Sequence, residues 1–129
     1  MALPLGELML EIRTSFYPIR LQAYQRSECD MEVSVLNTTG QPLWLECDAK
    51  VPEAISLAPD RQLSAGRTRL GIAIPGGVCK KKVKVYAGAA SYPDTFKILV
   101  TVFAYGQDGA IAYRQENRSD LRCVKFGEE

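Results

Sequence analysis

The sequence predicts an all-β protein, an immunoglobulin-like antiparallel β-sandwich of roughly seven to nine strands. Apolar residues recur at every second position in short runs along most of the chain, as in strands that bury one face. Gly, Pro, Asn and Asp turns separate these runs. No segment keeps the i, i+3, i+4, i+7 apolar spacing of an amphipathic helix, so we expect no helical element.

Four alternating runs occupy the first half of the chain: 7–14, 19–24, 30–37 and 43–50. The turn Asn37-Thr38-Thr39-Gly40-Gln41-Pro42 separates the last two runs, since Asn and Gly tolerate positive φ and Pro fixes the exit. The pattern therefore predicts that 30–37 and 43–50 are adjacent antiparallel strands joined by this loop.

The second half continues the pattern after an irregular stretch, 51–63, which contains Pro52 and Pro59. Strands are predicted at 68–74, 80–86, 95–105, 110–115 and 121–126. The run 95–105 is apolar on both faces, which is typical of a central strand covered on both sides. Asp108-Gly109 then predicts a tight hairpin.

A chain of 129 residues predicts one domain. Residues 1–28 are expected to add one or two N-terminal edge strands, and 29–126 to form the sandwich core. The residues at inward positions form the predicted core: Leu8, Leu10, Ile12, Val33, Val35, Leu43, Leu45, Leu70, Ile72, Val83, Val85, Phe96, Ile98, Val100 and Val102.

The composition argues against some classes of function. Sixteen basic and fifteen acidic residues give a net charge of +1, which argues against nucleic acid as a partner. The chain has no histidine, which removes the commonest general base and metal ligand. We therefore expect a protein that is not an enzyme and that has no cofactor and no metal.

The N-terminal sequence MALPLGELMLEIRTS lacks the basic leader and unbroken apolar region of a signal peptide. No run reaches the roughly 18 apolar residues of a membrane helix. A cytoplasmic location without membrane insertion is expected, although an extracellular chain that had lost its leader would look the same.

The four cysteines, Cys29, Cys47, Cys79 and Cys123, are too widely spaced for the close pairs typical of a zinc site. Cys47 and Cys79 share the inward positions of their strands. Two interpretations remain open: at least one disulfide among the four, or buried free thiols that act as small apolar residues.

The only dense charge cluster is Lys80-Lys81-Lys82 with Lys84. Lys80, Lys82 and Lys84 are predicted to line the outer face of one strand. One interpretation is a site for an anion such as a phosphate or an acidic protein. The other is an edge strand whose lysines protect it from aggregation.

Aromatic and apolar residues at outward positions are the candidate contacts. Trp44, the sole tryptophan, falls on the polar side of its strand and would there stack on a sugar or anchor a protein contact. The alternative is a flipped strand with Trp44 in the core. Leu99, Phe103 and Tyr105 form the second apolar face of 95–105 and are predicted partner contacts.

Several local features occur in a recognisable order. Asn37 to Pro42 closes one strand, and the next runs into Val51-Pro52-Glu53. Ile55 to Pro59, an Ala65-Gly66 turn and Tyr92 to Ile98 follow. The order resembles that of bacterial and archaeal immunoglobulin-like domains of the CARDB and alpha-galactosidase-associated type, over roughly Cys29 to Tyr113. The resemblance implies a non-enzymatic spacer, adhesion or partner-binding module and supplies no catalytic residues.

Together these observations predict a non-catalytic interaction module. It would bind another protein or its own copy through an edge strand or a sheet face. The alternative is a carbohydrate- or polyanion-binding module that uses Trp44 or the lysine run from Lys80 to Lys84.

Overall fold

The computed structural model describes residues 10–125, and these residues form two β-sheets and no helix. The predicted all-β sandwich is confirmed. Since the described part of the chain is free of helices, it has none that would cross a membrane. The predicted core residue Leu8 lies outside the described residues. The strands are β1 (Leu10–Tyr17), β2 (Arg20–Gln22), β3 (Ser27–Asn37), β4 (Leu43–Lys50), β5 (Ala65–Ala73), β6 (Val78–Ala87), β7 (Asp94–Tyr105) and β8 (Ile111–Val124).

The strands are divided three and five between the sheets. The three-stranded sheet has the order β1-β3-β6, and the five-stranded sheet has the order β2-β8-β7-β4-β5. Every pair is antiparallel except β2 and β8, which run parallel. β7 and β8 form the hairpin that Asp108-Gly109 predicted, but β8 is one long strand where the sequence predicted two.

The predicted pairing of 30–37 with 43–50 is wrong. β3 and β4 lie in different sheets, so the 38–42 loop crosses from one sheet to the other. Turn residues mark where a strand ends, but they do not determine whether the next strand pairs with it or packs across from it.

The core lies between the two sheets and contains most of the residues predicted for it. Ile12, Leu70 and Val83 are partly buried against it. Leu21, Met31, Ile55 and Leu121 are fully buried, although the sequence did not assign them to the core. The predicted residues that are buried are Leu10, Val33, Val35, Leu43, Leu45, Val85, Phe96, Ile98, Val100 and Val102.

Ile72 was also predicted to be in the core, and this is wrong, because 61% of its surface is exposed. β5 contains a bulge: Leu45 pairs with Gly71 and Glu46 with Arg69, so Leu70 has no partner on β4. An extra residue reverses the inward and outward positions beyond it. Gly71 permits the bulge because its φ of 119° is in a region that favours glycine.

Asn37 fixes the loops at the end of the sandwich where β3 ends and β4 begins. Its side chain is fully buried. The amide nitrogen donates to the carbonyl oxygens of Gln41 at 2.8 Å and Ala73 at 2.9 Å, and the amide oxygen accepts from the N–H of Thr39 at 2.9 Å. Its backbone also bonds to the Gly76–Gly77 turn. This one residue therefore ties the loop between β3 and β4 to the end of β5 and the turn that follows β5.

Candidate functional site

The outer face of the five-stranded sheet carries a continuous line of apolar side chains near the Asn37 end. Trp44 on β4 is opposite Ile72 on β5 and opposite Tyr105 on β7, and Tyr105 is opposite Ile111 on β8. We call these four residues the apolar row. Because neighbouring strands are about 4.8 Å apart, the row extends roughly 14 Å across the sheet.

The apolar row is accessible to solvent. Trp44 is 47% exposed, Ile72 61% and Ile111 57%, while Tyr105 is half-buried between Trp44 and Ile111. Ile74, 64% exposed, follows Ile72 just after β5 ends. A cluster of large exposed apolar side chains, rather than one isolated side chain, makes a surface a candidate contact site.

The next part of the same face is polar and covered by its own side chains. The guanidinium carbons of Arg67 and Arg114 lie 4.7 Å and 5.9 Å from the ring centre of Phe103. Arg67 also bonds Asp48, with Nε 2.7 Å from Oδ1, and lies 3.9 Å from a carboxylate oxygen of Glu46. The hydrogen bond from Arg67 lowers the pKa of Asp48, which therefore stays charged at neutral pH.

The structure brings together two of the predicted contact residues, Trp44 and Tyr105. The interpretation that placed Trp44 in the core is wrong, because β4 keeps its alternation and turns Trp44 outward. Phe103 and Leu99 are on the same face, but Phe103 lies under arginines. Leu99 is opposite Lys50 and Arg118 rather than next to the row.

Sequence reasoning missed Ile72 and Ile111 as members of this surface. Ile72 was misplaced because of the bulge, and a glycine inside the alternating run, Gly71, was the available signal for it. Ile111 aligns with Tyr105 through a second register shift, between Ala104 and Tyr105, for which the sequence had no clear signal.

The lysine run is on the other sheet. Lys80, Lys82 and Lys84 are exposed on β6, an edge strand, and point away from the sandwich on the side opposite Trp44. The Nζ atom of Lys84 is 3.1 Å from a carboxylate oxygen of Glu28 and 3.7 Å from one of Asp30. Trp44 and the lysines therefore cannot share one binding site.

The four cysteines are all free and buried, so the disulfide interpretation is not realised. Cys29 and Cys79 lie in the three-stranded sheet, opposite Val85 and Val35, at the two ends of the β3–β6 pair. Positions six residues apart on a strand are separated by about 20 Å, whereas a disulfide needs Cα atoms within about 7 Å.

Cys47 and Cys123 are similarly far apart in the five-stranded sheet, opposite Val102 and Asp94 on β7. Burial raises the pKa of Cys29 and of Cys47 to about 11, and it also raises the pKa of Cys79 and of Cys123. All four thiols are therefore protonated at neutral pH and are poor nucleophiles.

An open cleft of about 540 Å³ lies between the 54–62 loop and the ends of β3 and β6. Its two serine hydroxyls hold the backbone: Ser27 bonds to Gln22, and Ser56 bonds to Ala58, Arg61 and Leu63. Its carboxylate, Glu28, bonds to Lys84. Within residues 10–125, no group of three or more Cys, Asp or Glu side chains is arranged to hold a metal.

No family model matches this chain, and no curated protein matches it. The fold is similar to part of Escherichia coli alpha-2-macroglobulin, with a TM-score of 0.61 and 13% identity over 92% of this chain and 7% of that one. A FixG-related protein from Vibrio parahaemolyticus has a TM-score of 0.51 and 13% identity over 91% of this chain and 98% of its own.

A third similar structure is a non-cellulosomal cohesin from the hyperthermophilic archaeon Archaeoglobus fulgidus. Its TM-score is 0.51, with 14% identity over 94% of this chain and 95% of that chain. At such low identities the similarity shows the sandwich fold alone, and it assigns no activity or partner.

Proposed function

We propose that the protein is a non-catalytic interaction module that binds another protein, or its own copy, through the outer face of the five-stranded sheet. The observation that carries the proposal is the alignment of Ile72, Trp44, Tyr105 and Ile111 across four strands on an exposed surface. A module of this kind agrees with the function that the CARDB-type resemblance implies.

The make-up of the face supports a protein partner. Binding energy at protein interfaces concentrates in a few central Trp, Tyr and Arg side chains, and a polar rim surrounds them. Here Trp44 and Tyr105 are central, while Arg69 and Arg114 begin the polar region next to them, opposite Glu46 and Phe103. Ile72 and Ile111 extend the apolar area beyond the aromatic pair.

The chemistry of the described residues supports a role without catalysis. The thiols are protonated and buried, and the cleft serines hold backbone groups. We also place the module in the cytoplasm, since free buried thiols are usual where cellular reductants keep cysteines reduced.

The test compares two exposed aromatic residues of nearly equal accessibility. Trp44 is 47% exposed in the row, and Tyr92 is 46% exposed near the start of β7, at the other end of the sandwich. Self-association is measured by sedimentation velocity, and contacts with other proteins by a photocrosslinking residue placed at 44 or at 92. We expect a discrete product from position 44 and none from 92, and Trp44→Ser should weaken association by about 2 kcal/mol while Tyr92→Ser preserves it. Equal behaviour of the two positions would contradict the proposal.

The two aromatic residues Trp44 and Tyr105, opposite each other on an outer sheet face, also favour a second candidate function, carbohydrate binding by stacking. A panel of oligosaccharides is titrated into the protein and the heat change is recorded by calorimetry, because the fluorescence of the sole tryptophan would be lost in a variant without it. A saturable change that Trp44→Phe weakens and Tyr92→Phe leaves intact would favour this alternative over a protein partner.

A further inference from the structure

The outer edge of β6 is paired with another segment at only one position. One side of β6 pairs with β3, and among residues 10–125 no strand pairs with the other side. Near its C-terminal end, Ser56 forms an antiparallel bridge with Tyr86. The N–H of Ser56 donates to the Tyr86 carbonyl at 2.9 Å, and the N–H of Tyr86 donates to the Ser56 carbonyl at 2.7 Å.

This bridge shows which backbone groups face the open side. In a strand, the N–H and C=O of alternate residues point to the same edge. Because those of Tyr86 point to the open edge, those of Lys84, Lys82 and Lys80 do as well. Ser56 therefore occupies the first position of an antiparallel ladder whose next three positions have no strand from the described residues.

The open part of this edge carries three consecutive lysines, and only Lys82 is opposite a carboxylate on β3, that of Glu32. Lys80, Lys81 and Lys82 are all exposed, and among the described residues none of them has an ion-pair partner, whereas Lys84 is held by Glu28. Lys81 is at an inward position, yet its side chain is accessible at the open side of the sandwich. Three consecutive lysines next to unpaired backbone groups are suited to an anionic strand.

The same lysines disfavour a second copy of the chain at this edge. Pairing β6 with β6 of another molecule would bring lysines close to lysines, and like charges opposite each other destabilise a sheet. Charged side chains on edge strands commonly prevent such self-pairing. An acidic partner strand would turn this repulsion into attraction.

We propose that the edge of β6 binds an acidic, extended segment of another protein by strand addition. The segment continues the ladder that Ser56 begins, and its carboxylates lie opposite Lys80 and Lys82. This inference goes beyond the proposed function, because β6 belongs to the other sheet and the apolar row takes no part.

The test uses the full chain and two labelled peptides about eight residues long, the length of an ordinary strand. One peptide alternates Glu and Thr, and the other alternates Gln and Thr. Fluorescence anisotropy measures affinity, and hydrogen exchange followed by NMR measures protection of individual amides. We expect the Glu peptide to bind about tenfold more tightly than the Gln peptide, and to slow exchange at the amides of Lys80, Lys82 and Lys84.

The matched variants reverse the same number of charges at different places. Lys80→Glu combined with Lys82→Glu should weaken binding of the Glu peptide by about tenfold or more. Lys50→Glu combined with Lys125→Glu changes exposed lysines at the end of β4 and just after β8, and it should have little effect. Thermal melting of both variants checks that each is folded.

Four results with the peptides would overturn the inference. They are no binding of the Glu peptide, equal binding of the Gln peptide, equal loss in both double variants, or binding without protection of the three amides. A single-stranded oligonucleotide of the same charge that binds more tightly than the Glu peptide would also overturn it, since that result identifies a general polyanion site.

Discussion

Phe103 and Tyr105 are two residues apart on β7 and lie on the same face of the sheet, but their rings have different neighbours. Phe103 lies under the guanidinium groups of Arg67 and Arg114. Tyr105 lies next to Trp44, and no cation within the described residues stacks on either ring. Apolar surface that the chain covers itself is already stabilised, whereas the surface of the row gains from a partner. This difference is why we propose the row, rather than the whole face, as the contact surface.

The largest effect on folding is expected at Asn37, which fixes the end of the sandwich next to the row. Asn37→Leu removes its four side-chain bonds, one each to the carbonyls of Gln41 and Ala73 and two to Thr39, and leaves the buried carbonyl of Ala73 without this donor. The free energy of unfolding should fall by about 3 kcal/mol, measured by urea denaturation. Gln41→Ala is the control, because the bond uses the backbone carbonyl of Gln41, and it should cost less than about 0.5 kcal/mol.

Trp44 and Phe103 should respond in opposite ways. Trp44→Ser should weaken association by about 2 kcal/mol, the effect of losing a central interface residue, and should change stability by less than about 1 kcal/mol. Phe103→Leu should lower stability by about 1 kcal/mol through the lost arginine stacking and leave association unchanged. Sedimentation velocity and urea denaturation measure the two quantities. Equal effects of the two changes on association would remove the distinction between the row and its neighbour.

Gly71 tests whether the bulge is what turns Ile72 toward the row. Gly71→Ala should lower the free energy of unfolding by about 1–2 kcal/mol, because alanine is strained at a φ of 119°. Space is not the cause, since the nearest atom to an added Cβ is the sulfur of Cys79 at 3.8 Å. Gly40→Ala, with no atom within 4 Å of the added carbon, is the control and should be nearly neutral. A neutral Gly71→Ala would contradict the account of the bulge.

The smallest effect concerns the ion pairs in the covered part of the face. The pKa of Asp48 is lowered in the folded state, mainly by the hydrogen bond from Arg67. Its contribution to stability is therefore complete above the ordinary pKa of about 4 and is lost as the pH falls through the folded value. Because the pair is near solvent, the loss should be under about 1 kcal/mol. The free energy of unfolding, measured from pH 7 to pH 2, should fall by this amount in the parent protein. The same fall should be absent in Asp48→Asn.

The sequence was sufficient to predict the fold class because alternation is a local property of each run. Alternation also offered an outward position for Trp44 but left a core position open, and the outward one is observed because β4 has no irregularity between Leu43 and Trp44. Strand partners could not be predicted, because Asn37 to Pro42 suits a crossing between sheets as well as a hairpin. The row was only half predicted for a similar reason, since counting alternate positions fails beyond the bulge at Leu70 and places Ile72 in the core.

For the lysines, exposure could be predicted from the sequence, but the open strand edge beside them could not. Their exposure on one strand was predicted from alternation alone. The open edge depends on which strands pair with β6. It also depends on the position of Ser56, a residue in an irregular stretch that is distant from β6 in the sequence. Long-range contacts of this kind leave no periodic signal in one sequence.

Acrylamide quenching of the fluorescence of Trp44, the only tryptophan, tests the exposed row most directly. In dilute solution the quenching constant should approach that of the urea-unfolded chain, and it should fall when association or a bound partner covers the row. A small constant in dilute solution, unchanged by association, would show that Trp44 is enclosed in the core and would contradict the account.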